Sequence, residues 1–163
     1  MKHNNTSSEH RRSLRLKDYD YSQAGLYYIT ICIQNKLNLF GDVVDDKVIL
    51  NNAGKIVEKW WFELKNKFHN YKLYEHIVMP NHFHGIIEIG EMGRHAGQPL
   101  QDAVQWFKTM TTNEYIRGVK DDNWQPFDQK LWQRNYYEHI IRDEKSHSRI
   151  SEYIETNPIG WSS

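Results

Sequence analysis

Apolar residues along the chain change rhythm several times, and the changes fall at turn residues. Leu26–Gln34 (LYYITICIQ) is a run rich in β-branched and aromatic residues that predicts a buried strand. A short hairpin is expected next, Leu39–Val44 and Lys47–Leu50 around a turn at Asp45–Asp46. From Asn52 to Lys67 the spacing becomes helical: Ile56, Val57, Trp60, Trp61 and Leu64 form one apolar stripe, with Asn51 or Asn52 as N-cap. Tyr71–Met79 and His82–Ile89 read as paired strands joined at Met79-Pro80-Asn81, where proline restricts itself and its neighbour.

Gly90–Pro99 reads as a loop, and Leu100–Ile116 as a helix with Leu100, Val104, Phe107, Thr111 and Tyr115 on one face. Residues 117–130 read as irregular, Trp132–Ile141 as a segment that begins as a strand, and Glu144–Thr156 as a final helix ended by Asn157-Pro158. Short strands alternating with helices predict an α+β class, with a ferredoxin-like antiparallel sheet packed with helices.

The length of 163 residues fits one domain, placed at 21–163, behind a mobile basic arm at 1–20. No apolar run approaches the roughly 20 residues of a membrane helix, and the N-terminus has no apolar signal-peptide core. No membrane partner is therefore expected, and the cytoplasm is the expected location. The single cysteine, Cys32, lies in the apolar run ITICI and is expected in the core; no internal disulfide is possible.

Net charge is zero, whereas many nucleic-acid binders are strongly basic. The distribution is uneven, however. Residues 11–17 (RRSLRLK) carry Arg11, Arg12, Arg15 and Lys17 around Leu14 and Leu16 with no acid, while acids gather at Asp45–Asp46, Asp121–Asp122 and Asp143–Glu144. Such an arm either grips phosphate locally or is a solvated tail.

His82 and His84 stand two apart on a predicted strand, so both imidazoles leave one face of it. Phe83, Gly85, Ile87 and Ile89 take the other face and can pack under a helix; Gly85 lets a backbone or ligand come close. Convergent imidazoles on a rigid strand suit a divalent metal, and hydrogen-bonded structural histidines are the alternative. Tyr153 and Asn157 are four apart on the last helix and share a face, with Ile150 and Ile154 on its buried stripe. A tyrosine can serve as phosphoryl-transfer nucleophile and an amide oxygen as hard-metal ligand. Equally, Tyr153 is a half-buried packing residue and Asn157 a helix terminator before Pro158. Tyr115, Tyr136 and Tyr137 are rival nucleophiles.

Four segments, MPNHFHGII, FKTMTT, LWQRNYYEHIIRDE and EYIETNP, occur in the order found in the insertion-sequence single-tyrosine transposases. The chain resembles that family, in particular its REP-associated tyrosine transposase branch, from about Leu26 to Trp161. The resemblance implies a ferredoxin-like (RRM-like) core with the histidine pair on a central strand and the nucleophile on a C-terminal helix. By position, His82 and His84 match the metal-binding histidines, Tyr153 the nucleophile, and Asn157 the third ligand, a place often held by glutamine in the wider family. His139 falls in the YEHIIRDE motif of the branch. Residues 11–17, with Arg11, Arg12, Arg15 and Lys17, match the arm that reads DNA beside a hairpin. The loop Gly90–Pro99 and segment 117–130 make the chain between His84 and Tyr153 longer than in compact members.

The implied function is a metal-dependent single-strand DNA endonuclease and strand transferase that forms a 5′-phosphotyrosine on hairpin-flanked DNA. Single-stranded or hairpin DNA would be the partner, the protein a nucleoid-associated bacterial monomer or homodimer, and the metal Mg²⁺ or Mn²⁺, with Ni²⁺ or Zn²⁺ held adventitiously. The alternatives are a domesticated DNA- or RNA-hairpin-binding module that does not cut, and a metal phosphohydrolase using water. Aromatics make up 13 % of the chain and can supply stacking surfaces, though Trp60, Trp61 and Trp106 are expected in the core.

Overall fold

The computed structural model describes residues 24–91 and 99–162. The arm at 1–20, with Arg11, Arg12, Arg15 and Lys17, and most of the Gly90–Pro99 loop lie outside the described residues. Six strands and three α-helices follow in the order β1 (Gly25–Cys32), β2 (Gly41–Val44), β3 (Lys47–Leu50), α1 (Asn52–Lys67), β4 (Tyr71–Met79), β5 (His82–Ile89), α2 (Leu100–Asp121), β6 (Tyr137–Ile141) and α3 (Glu144–Thr156). Four strands form an antiparallel sheet in the order β4–β5–β1–β6, and β2–β3 is a separate hairpin. The class is α+β, as the residue pattern predicts.

Alternation along β1 and β5 divides the core in two. Tyr27, Ile29 and Ile31 of β1 and Phe83, Ile87 and Ile89 of β5 face α1 and α2, where Val57, Trp61, Leu64, Leu100, Val104, Phe107 and Tyr115 complete the larger cluster. On the opposite face Tyr28, Ile86 and Ile141 meet Ile154 of α3, with Leu26, Ile77 and Ile150 at their margin. That second layer is thin, and its outer part is where the polar chemistry sits.

Local choices explain the helix starts. The Asn51 side chain accepts from Gly54 N (2.9 Å) and donates to Leu39 O (3.0 Å), so one residue caps α1 and ties it to the preceding loop. Asp143 caps α3 by accepting from Ser146 N at 2.7 Å. At Gly85 the close neighbour is a side chain of the fold: a Cβ there would lie 2.7 Å from the Trp61 ring. The absence of a side chain lets α1 settle on β5.

Four expectations change. Helix α2 continues to Asp121 instead of stopping at Ile116. Gly118 explains it: a Cβ there would lie 2.1 Å from Trp124, whose ring takes the space, and Gly118 O accepts from Asp122 N and Trp124 N. A glycine reads as a helix breaker in isolation, yet here it makes the packing surface. The strand expected from Trp132 begins only at Tyr137; Trp132 makes one isolated bridge to Ile33. Lys108 Nζ donates to Gln133 O and Arg134 O, taking carbonyls a ladder would have used. Strand β1 ends at Cys32 because the backbone turns through Gln34–Lys36, with Asn35 at φ 59°. Finally, Cys32 is half-buried and shares the period-two face of Tyr28 and Thr30, opposite its fully buried neighbours Ile31 and Ile33.

Candidate functional site

His82 and His84 open β5, opposite Cys32 and Thr30 on β1 and Met79 and Ile77 on β4. Their rings lie 4.6 Å apart, centroid to centroid, at 75°. The tight Pro80-Asn81 turn places Asn81 beside the first imidazole, and His82 Nδ1 donates to Asn81 Oδ1 at 2.7 Å. An amide oxygen only accepts, so the proton sits on Nδ1 and the lone pair on Nε2. His84 is deeper, 4 % exposed. Its Nδ1 lies 2.8 Å from both Tyr28 Oη and Thr30 Oγ1. Hydroxyls give or take protons, so this pair serves either tautomer.

Electrostatics keep both rings neutral. Burial pushes the His84 pKa down to about 3, with help from neighbouring His82. Burial also lowers His82, against a hydrogen bond with Asn157 that favours its charged form. Tyr28 is pushed up to about 12 by burial and by the nearby Tyr153 and Tyr137, partly offset by a hydrogen bond with Thr30. These are neutral donors at neutral pH.

The third element is the end of α3. Tyr153 stands over the pair, its ring 5.7 Å from that of His84, and is 54 % exposed. Asn157 keeps helical dihedrals (φ −55°, ψ −37°) despite the following proline, and its backbone N–H donates to Ile154 O. It therefore stays on the Tyr153 face, and its side chain reaches His82. Sequence-predicted His82, His84, Tyr153 and Asn157 thus come together on one side of the sheet. His139 does not join them; it lies on edge strand β6 by Tyr137 and Tyr153. The rivals are placed differently. Tyr115 is buried and donates to Gln125 O (2.7 Å), and Tyr136 donates to Glu138 Oε2 (2.7 Å). Tyr137 is exposed but packs edge-on against Tyr28, one ring further from the histidines. Trp61 is fully buried, and Trp60 and Trp106 pack against the core as expected.

Sequence reasoning missed four residues. Tyr28 and Thr30 had a signal: hydroxyls at alternate positions of a strand read as buried need partners. Asn81 appeared only as a turn residue. Trp161 lies 5.5 Å from the His82 ring, held where Gly160 N donates to Asp46 Oδ1 and Trp161 N to Pro158 O. Nothing in its local sequence marks it.

The donor set fits a divalent cation with open positions. Each histidine has a polar partner on Nδ1, the arrangement that orients a metal-binding imidazole, and an amide oxygen adjoins. No cluster of three or more His, Cys, Asp or Glu suited to a metal occurs among the described residues. The set of two imidazoles and an amide is uncharged.

A family model described as "Transposase IS200 like" matches residues 25–157. An uncharacterized protein of Haemophilus influenzae is 43 % identical over 169 residues, covering 96 % of this chain and 93 % of that one. A second protein of the same organism, named for the REP-associated tyrosine transposases, is 24 % identical over 145 residues, covering 86 % of this chain and 73 % of that one. Among solved structures, a REP-associated tyrosine transposase bound to a REP hairpin superimposes with a TM-score of 0.64 at 18 % identity, over 90 % of this chain and 76 % of that one. At that identity the likeness establishes a shared fold.

Proposed function

The chain belongs to the IS200-like transposase family, and from that premise we propose that it is a metal-dependent single-strand DNA endonuclease and strand transferase with Tyr153 as nucleophile. The observation that carries the reading is the placing of Tyr153 beside His84 while Asn157, one turn on, reaches His82. The substrate is single-stranded DNA flanked by a hairpin, because the backbone must enter unpaired. The strand order β4–β5–β1–β6 supports a ferredoxin-like core, with the nucleophile on the C-terminal helix.

His82 and His84, through Nε2, and Asn157, through its amide oxygen, would hold Mg²⁺ or Mn²⁺. When bound, such an ion would supply Lewis-acid stabilisation of the charge that develops on the reacting phosphate. Because these donors carry no charge, the phosphate supplies the negative partner. Thr30 and Tyr28 orient His84 by accepting from Nδ1–H, and Asn81 does the same for His82. Tyr153 Oη attacks phosphorus: its bond to phosphorus forms, the bond to the 3′ oxygen breaks, and the phenolic proton passes through solvent to that oxygen. The products are a 5′-phosphotyrosine and a 3′-hydroxyl. The reverse attack by a 3′-hydroxyl rejoins strands without an external energy source. The basic arm at 11–17 is proposed to contact DNA beside the hairpin.

The test is direct. Protein, Mn²⁺ and labelled hairpin-flanked single strands should give a protein–DNA adduct that resists SDS. Its absence across a range of hairpins would overturn the reading.

A further inference from the structure

The motif YEHIIRDE contributes nothing to the histidine pair, yet two of its residues stand beside the nucleophile. A cavity of about 420 Å³ opens between α3 and the outer edge of the sheet, bounded by Tyr28, Tyr137, His139, Arg149, Ile150 and Tyr153. Its size lies within the roughly 300–1,000 Å³ of small-ligand pockets, enough for one nucleotide. Strand β6 is the sheet edge, so the cavity opens laterally past it.

Its chemistry is selective. Tyr137 is exposed, anchored edge-on against the buried Tyr28 ring at 6.0 Å, and so presents a surface to the cavity at small entropic cost. Ile150, against the inner cluster, gives an apolar floor. Arg149 is the cation on the wall; its Nη2 donates to Ser146 Oγ at 3.4 Å, and part of its field falls on Asp143 at the helix start. Among the described residues, no acidic side chain lines the space. An aromatic platform with an arginine beside it is the combination that holds a single-stranded base and its phosphate.

We infer that this cavity is a nucleotide subsite next to the reacting phosphate, in which Tyr137 stacks the base of a flanking nucleotide and Arg149 contacts its phosphate. The inference rests on the proposed action on single-stranded DNA. It makes Tyr137 a positioning residue, which registers the strand so that the reacting phosphate meets Tyr153.

The experiment measures binding, separately from cleavage. Fluorescence anisotropy compares a random-sequence twelve-nucleotide pool with an abasic twelve-mer, for the parent protein, Tyr137→Leu, Tyr137→Phe and Arg149→Ala. Tyr137→Leu should weaken the base-bearing pool about tenfold and leave the abasic strand unaffected, while Tyr137→Phe binds as the parent. Arg149→Ala should weaken both strands and lower the salt dependence by about one phosphate contact. The subsite is overturned if the parent fails to bind the pool, if Tyr137→Leu binds as the parent, or if its loss persists on the abasic strand. An adduct at Tyr153 with no Tyr137 effect sinks the subsite alone; a Tyr137 effect with no adduct sinks the catalytic reading and leaves the subsite.

Discussion

Tyr153 of α3 and His84 of β5 meet with ring centroids 5.7 Å apart at 67°, one exposed, the other buried in the sheet. The contact joins an exposed phenol ring to an immobilised imidazole. It separates what a substitution does to chemistry from what it does to folding.

Tyr153→Phe removes only the hydroxyl from an exposed ring, so stability should change by about 0.5 kcal/mol or less. Adduct formation should disappear. A water-using hydrolase would keep cutting in this variant, and gel analysis of cleaved strands with and without SDS-resistant adduct distinguishes the two.

Thr30→Val and Tyr28→Phe each remove one hydroxyl partner of His84 Nδ1. Each should weaken Mn²⁺ binding in calorimetric titration, and the double variant by roughly 10- to 100-fold, as loss of a supporting hydrogen bond does at other metal sites. Affinity equal to the parent's in the double variant would show that His84 is not a ligand.

Asn157→Ala should lower Mn²⁺ affinity while Tyr153 stays in place, since the helix carries both residues. Retained affinity together with retained adduct yield would remove Asn157 from the ligand set.

His84 also couples folding to pH. Its folded pKa of about 3 lies below the ordinary 6.5, so between those values the unfolded chain holds a proton that the folded chain does not. The His84 contribution to stability is therefore present above pH 6.5 and declines by about 1.4 kcal/mol per pH unit below it. Urea unfolding of metal-free protein at pH 7, 6 and 5 should show this slope, and His84→Gln should flatten it. Parallel slopes for both proteins would contradict the assignment.

Gly85→Ala places a Cβ 2.7 Å from the Trp61 ring. Destabilisation of about 1–3 kcal/mol is expected from overpacking, measured as a lower urea midpoint. A neutral result would show that α1 and β5 can part without cost.

Several elements were legible residue by residue. Helices Asn52–Lys67 and Glu144–Thr156 and strands Tyr71–Met79 and His82–Ile89 keep the bounds their periodicity predicts. The apolar stripe, the caps and the proline turn all point the same way there. The pairing of His82 with His84, and of Tyr153 with Asn157, was also legible, because side chains two apart on a strand and four apart on a helix share a face whatever surrounds them. Where a residue's state depended on a distant partner, local reading failed. Trp132 leaves the ladder because Thr111 Oγ1 accepts from its indole N–H and Lys108 holds the carbonyls that follow. Gly118, which reads as a helix end in isolation, leaves room for the Trp124 ring inside a helix that runs on.

The residue pattern by itself determined which chemical groups exist and which of them travel together on one element. Only the tertiary structure decided that α3 packs across the sheet, so that a phenol ring and an imidazole far apart in the chain meet edge to face. The same crossing, with the turn Gly160 makes to Asp46, brings Trp161 against His82. The reason is physical: spacing along one strand or helix is set by backbone geometry, whereas spacing between elements is set by the packing of Ile154 against Tyr28, Ile86 and Ile141, contacts that no local window contains.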